Sequence, residues 1–350
     1  MQHRSRPAGL FASLALLSAP AIASAQPLDL LELRSEYLPP TAIEGDRPAG
    51  GTPWSDAEDV QVSTYAASLN VPLTLGDSTV LAPGLGYRLD KLSFSHESKA
   101  ERELDLHALE IPVTLIHLLS QDWMLLFQAK PGLAGDLEAV ESRALRMQGL
   151  GLASHQLSEN LVLGGGGAAM FEFGSLLPVP VLYSRWEPTE QLAVEALLPV
   201  QAEATLTLGD RFELGIRADV EGNSYAISDS AIRDSWPCKA GADDPTTPED
   251  GAQPDRTQCI DHVGYSVATA GASFGVRAFD SLWFTVYAGH TFFRRFEQMN
   301  EDNDRVAGGI QTLPDVFFAR VGLTWRLPDG SDESTAPQHE LAAGSHKEKP

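Results

Sequence analysis

Beyond its first 25 residues, this 350-residue chain has no unbroken apolar run of the roughly 20 residues that a membrane-spanning helix requires. A helical membrane protein is therefore excluded. Positive charge is scarce as well: 25 Lys and Arg stand against 48 Asp and Glu, for a net charge of −23. Such a chain repels a phosphate backbone, so no nucleic-acid partner is expected. Helical periodicity is weak throughout, and no Gly-x-Ser-x-Gly nucleophile elbow occurs. With only two cysteines, Cys238 and Cys259, no Cys-rich metal framework exists.

What is present begins with Arg4 and Arg6, an apolar stretch from Leu10 to Ile22, and the small residues Ala23-Ser24-Ala25. This is the pattern of a secretory signal cleaved after residue 25. An uncleaved anchor is disfavoured by Ser13, Ser18 and Pro20 within the apolar stretch. Losing Arg4 and Arg6 takes the charge from −23 to −25, because residues 1–25 hold no acidic group. In an exported chain, Cys238 and Cys259, 21 positions apart in a polar segment, are expected to form a disulfide. With only His262 nearby they supply too few ligands for a closed zinc site.

The remainder is built of strand-length runs with period-2 alternation. In 212–220, Phe212, Leu214, Ile216, Ala218 and Val220 share one face, and Glu213, Gly215, Arg217 and Asp219 the other. In 202–208, Ala202, Ala204, Leu206 and Leu208 oppose Glu203, Thr205 and Thr207. In 317–327, Phe317, Ala319, Val321, Leu323, Trp325 and Leu327 oppose Arg320, Gly322, Thr324 and Arg326. Fourteen such runs are read between residues 28 and 327, or twelve if the pairs around Pro178–Pro180 and Leu198–Gln201 are not separate strands. Short turns, such as Gly76-Asp77-Ser78, Gln121-Asp122, Gly209-Asp210 and Asp280-Ser281, alternate with mostly longer polar loops at 38–59, 94–103, 135–143, 229–262 and 298–312.

Short periplasmic turns, longer external loops and an even strand count are the marks of an all-β, antiparallel transmembrane β-barrel of a Gram-negative outer membrane. Residues 26–327 are assigned to that barrel and 328–350 to a disordered polar tail. A closed sheet satisfies every backbone group in lipid, with the apolar face outward and charges in the lumen. Glu195, Glu203, Glu213, Arg217, Asp219, Arg320 and Arg326 are the candidate lumen charges. Tyr37, Trp123, Tyr183, Trp186, Tyr225, Tyr265 and Trp325 fall near strand ends, where an interfacial aromatic belt is expected. A soluble periplasmic β-protein is the competing architecture.

The stretch Leu192-Ala-Val-Glu-Ala-Leu-Leu-Pro199, with Leu208-Gly-Asp-Arg211, Leu214-Gly-Ile-Arg-Ala-Asp219 and Glu221-Gly-Asn-Ser-Tyr225, resembles a family of outer-membrane β-barrels of unassigned function. The resemblance runs from about residue 60 to 327 and implies a fold without implying catalytic residues. Arg320-Val-Gly-Leu-Thr-Trp-Arg-Leu327 also looks like the last-strand signal read by the barrel assembly machinery, here placed before the terminus.

Catalytic signals are weak. The run Gly164–Gly167 leads into Ala168-Ala-Met-Phe171 and lacks the Lys and Ser or Thr of a phosphate loop, so it reads as a strand kept small for close approach. The strand histidines His107, His117, His155 and His290 belong to no serine motif. The acidic loop 300–304 lacks the Gly and Glu of an EF-hand. No cofactor, metal or enzymatic activity is expected. The leading function is a passive pore or transport barrel for small solutes, with outer-membrane lipid as its surroundings. A structural or adhesive surface barrel, with the 229–262 loop as recognition element, and a lipid-processing enzyme are the alternatives.

Overall fold

The computed structural model describes residues 29–43, 57–96, 99–138, 142–172, 175–229, 259–279, 281–302 and 304–326. Residues 1–25, read above as a signal, Cys238, and residues 328–350, read as a tail, fall outside the described residues. Fourteen antiparallel strands form one closed sheet. They are β1 (Asp29–Ala42), β2 (Asp59–Asn70, continued by Leu73–Thr74), β3 (Thr79–His96), β4 (Lys99–Glu110, continued by Val113–Leu118), β5 (Trp123–Gly135), β6 (Leu145–Ser158), β7 (Leu161–Glu172), β8 (Ser175–Thr189), β9 (Leu192–Leu198), β10 (Gln201–Leu208), β11 (Phe212–Ala226), β12 (His262–Phe279), β13 (Leu282–Met299) and β14 (Arg305–Thr312, continued by Phe317–Arg326). Each pairs with its chain neighbours, and β1 closes the ring on β14 with Glu36 opposite Arg320.

The pleat sets the two walls. Ile216, Leu182, Leu198, Phe317 and Trp325 point outward and stay exposed, whereas Glu36, Asp90, Asp219 and Arg320 point inward and are buried. That is the inverse of a water-soluble β-protein and suits a bilayer, whose core cannot solvate an open sheet edge. Trp123, Trp186 and Trp325 lie on the outward wall near the short-turn end, as the belt reading expects. Tyr183, Tyr225 and Tyr265 instead face inward and are buried, because alternation places them with the core positions of their strands.

The strands outrun their sequence-read ends. β1 continues through Pro39-Pro40 to Ala42, β3 runs to His96 and β4 from Lys99, paired with each other inside the expected 94–103 loop, and β14 starts at Arg305. The physical reason lies inside the barrel. Leu38, Val62, Leu92, Leu104, Leu106, Tyr225, Val263 and Phe296 form a buried apolar cluster toward the loop end, which rewards extending the wall around it.

The outer half of β11 departs most from a simple barrel. From Glu221 to Ala226 it is buried on both faces, and Ala226 makes a parallel bridge to Gly135 of β5, six strands away around the wall. Asp136 fastens that crossing, accepting hydrogen bonds from the backbone amides of Ser228 at 2.7 Å and Asp229 at 2.8 Å and from the Ser228 hydroxyl. β11 and β5 thus meet across the interior, which holds two buried apolar clusters. One is the cluster just named; the other comprises Leu126, Leu150, Leu152, Met170, Val179, Val181 and Leu197, drawn from β5–β9.

The wall also has a notch. The short hairpin β9–β10 stops at Leu182↔Leu198 on one side and Gln201↔Asp219 on the other, while β8 runs on toward Ser175 with only β7 as partner. Pro178 and Pro180 lie on that stretch of β8. A proline has no amide hydrogen to leave unpaired, and two at alternate positions fit an open edge. Gly166 answers the glycine-run expectation: a Cβ there would lie 1.9 Å from the Gly151 carbonyl oxygen, so only glycine allows the β6–β7 approach.

Candidate functional site in the lumen

β1, β3, β11 and β14 converge at mid-height because each carries charge at alternate, inward positions. Glu221 is the hub. It accepts two hydrogen bonds from Arg34 at 2.9 Å, one from Arg88 at 3.0 Å and one from Arg320 at 2.8 Å. Arg88 also pairs with Asp90 at 2.9 Å, and Arg320 with Glu36 and with Asp219 at 3.5 Å. Arg217 holds Asp219 at 2.7 Å. Four guanidiniums (Arg34, Arg88, Arg217, Arg320) therefore meet four carboxylates (Glu36, Asp90, Asp219, Glu221), a neutral set.

Several of these bonds cross the lumen. β3 and β11 lie six strands apart in the wall, yet Arg88 reaches Glu221, and the Tyr225 hydroxyl donates to Asp90, which also accepts from Thr64 at 2.6 Å. Arg146 of β6 binds both Glu110 of β4 and Asn223 of β11. The Arg320 guanidinium stacks 5.2 Å from the Tyr287 ring. The network is a crossbar between a charged half and an apolar half of the interior.

On the short-turn side of the crossbar lies a cavity of about 230 Å³. Its lining includes Glu195, Glu203, Glu213, Arg217, Arg320 and Arg326, six of the seven sequence-read lumen charges. The seventh, Asp219, lies in the crossbar itself. Arg326 pairs with Glu213 at 2.9 Å and stacks over Trp283 at 4.8 Å, and Arg217 stands 4.0 Å from Glu203. Glu195 faces Glu203 across the β9–β10 pairing.

The charges that sequence reasoning missed are Glu32, Arg34, Glu36, Arg88, Asp90, Glu110, Lys130, Arg146 and Glu221. Leu31-Glu-Leu-Arg-Ser-Glu36 carries the same period-2 signal used for β11 and could have revealed the β1 members. Glu221 continues the β11 alternation two residues past Asp219 and could have been placed on the inward face, but its place as hub depends on β11 leaning into the lumen, which the alternation does not reveal.

The four strand histidines do not assemble a hydrolytic site. His107 meets the Tyr87 hydroxyl at 2.8 Å and His117 the Thr79 hydroxyl at 2.9 Å, while His155 and His290 contact backbone oxygens. No carboxylate orients either hydroxyl-bound ring among the described residues. No group of three or more His, Cys, Asp and Glu suited to a metal ion occurs among them either. Cys259 is buried at the end of the 229–262 loop, and Cys238 lies outside the described residues.

Residues 21–237 match a family described as a domain of unknown function, DUF6268. The match begins earlier than the motif reading placed it and ends at 237 rather than 327. None of the curated proteins compared matches the chain. Among solved structures, the COG4313 outer membrane channel from Pseudomonas putida F1 is similar at 10% identity and TM-score 0.40, over 88% of this chain and 99% of that one. LpxR from Salmonella typhimurium is similar at 11% identity and TM-score 0.31, over 85% and 99%. The NanC porin is similar at 8% identity and TM-score 0.30, over 85% and 100%.

Proposed function

The chain belongs to the DUF6268 family, described as of unknown function, and from its own barrel we propose that it is an outer-membrane conduit for small charged solutes, closed at rest by the crossbar on Glu221. The observation that carries this reading is the charged 230 Å³ vestibule ending at a charge-neutral crossbar. Buried ion pairs add little net stability over apolar residues, so a cross-lumen network of them is better explained as a device for state or specificity. A solute that competes for the guanidiniums or carboxylates lowers the cost of separating the pairs. Fourteen strands leave room for such a path, whereas a barrel of about eight is filled by side chains.

The short turns then face the periplasm and the 229–262 loop the exterior. Export with cleavage after Ala25, recognition of β14 by the barrel assembly machinery, and a Cys238–Cys259 crosslink within that loop belong to the same proposal. A non-enzymatic role belongs to the same proposal.

The test is flux. Purified protein in sealed vesicles should release small charged solutes and retain sucrose. Vesicles that leak nothing at any applied voltage would overturn the conduit reading. Intact mass of the exported protein checks the cleavage and the crosslink: it should lack residues 1–25 and be two hydrogens lighter than the reduced chain.

A further inference from the structure

Glu32 and Arg34 line the vestibule and also a second, smaller cavity of about 80 Å³, set toward β3–β6. A solute in the vestibule is therefore next to it. Its lining carries Arg34, Arg88, Lys130 and Arg146 with Glu32 and Glu110, and most of these are already matched. Arg34 and Arg88 hold Glu221, Arg88 also holds Asp90, and Arg146 holds Glu110.

Two are not. Lys130 is only 5% exposed, yet among the described residues it donates no hydrogen bond and forms no ion pair. Its charged neighbours are Glu110, which attracts it but is already bonded to Arg146, and Arg146, which repels it, so an arriving carboxylate would favour its charged form. Glu32, half-buried on the β1 side, likewise has no hydrogen bond or ion pair among the described residues. The buried Nε groups of Arg34 and Arg146 also lack acceptors. The cavity thus presents an amine with no bonded carboxylate and spare donors beside it, and from another strand a carboxylate with no bonded cation.

We propose that this cavity binds a small zwitterion of the α-amino acid class, its carboxylate at Lys130 and Arg146 and its ammonium at Glu32. The volume admits several waters, and so a compact molecule of alanine's size. A simple carboxylate would satisfy Lys130 but set a like charge before Glu32. A simple amine would satisfy Glu32 and oppose Lys130. Only a molecule bearing both charges relieves both groups. The proposal rests on the conduit reading and names the solute class for it.

The test uses the full-length folded protein in detergent micelles, with saturation-transfer NMR against L-alanine, propionate and isopropylamine, which share a three-carbon skeleton. Alanine should bind at least about tenfold more tightly than either single-charge analogue, since each analogue leaves either Lys130 or Glu32 without a counter-charge. Lys130→Met should lose alanine and gain isopropylamine; Glu32→Gln should lose alanine and gain propionate. Should Lys130→Met fail to fold, Glu32→Gln carries the test alone, and heat-modifiable gel mobility reports the folding of each. Propionate binding as well as alanine, no alanine binding, or variants that leave the preference unchanged would each overturn the proposal. Binding is read without flux, so a protein that binds alanine but leaks nothing sinks only the conduit.

Discussion

Replacing Glu221 by Gln removes one negative charge from a set of four guanidiniums and four carboxylates and leaves the crossbar at +1. The wild-type carboxylate accepts four hydrogen bonds of 2.8–3.0 Å from three guanidiniums, and its residue is 7% exposed. Removing one partner of a buried ion pair costs about 3–5 kcal/mol, because the other charge stays desolvated. Arg88 retains Asp90, and Arg320 retains Glu36 and Asp219, but Arg34 has no other carboxylate partner among the described residues. Arg34 should therefore bear most of the loss. The double variant Arg34→Met, Glu221→Gln restores neutrality and should recover at least about half of it, the residue left being lost packing. Urea unfolding in vesicles, followed by tryptophan fluorescence and gel mobility, measures both. A single-variant shift worth less than about 1 kcal/mol, the range of an exposed pair, would refute the reasoning, as would a double variant no better than the single.

Gly166→Val drives its Cβ into the Gly151 carbonyl and should cost more than the usual 1–3 kcal/mol of overpacking, while Gly165→Ala, whose Cβ meets nothing closer than 3.7 Å, should fold normally by gel mobility. Asp136→Ala strips three hydrogen bonds from the crossing of β11 onto β5; a loss of about 1–3 kcal/mol and faster amide exchange at Ser228 and Asp229 are expected, and unchanged exchange would count against the clamp. Pro178→Ala and Pro180→Ala each add an amide hydrogen to the open edge of β8 and should destabilise by about 1–3 kcal/mol in urea titrations, whereas a gain in stability would mean that the edge finds a partner.

Strand count and the facing of residues were legible because pleat and pattern share a period of two. Glu213, Arg217, Arg320 and Arg326 turn inward for the same reason that Phe212, Ile216, Val321 and Trp325 turn outward. Prolines 178 and 180 made β8 hard to read from sequence, and they mark the edge where the wall is open. The course of β11 beyond Asp219 was illegible. Glu221-Gly-Asn-Ser-Tyr225 still alternates as a wall strand would, and only its burial on both faces reveals that it leans across the lumen. Lys130 was passed over because a lone lysine in an apolar run gives no hint of whether a carboxylate will meet it.

Planar-bilayer recording tests the central claim most directly, since the crossbar either closes the lumen or does not. Wild-type protein should give brief, small current steps, and a variant losing the cross-lumen pair, Arg88→Ala with Glu221→Ala, should give larger and longer ones. Equal, steady conductance from both would show that the crossbar closes nothing, and silence from both would show that no path runs through the barrel.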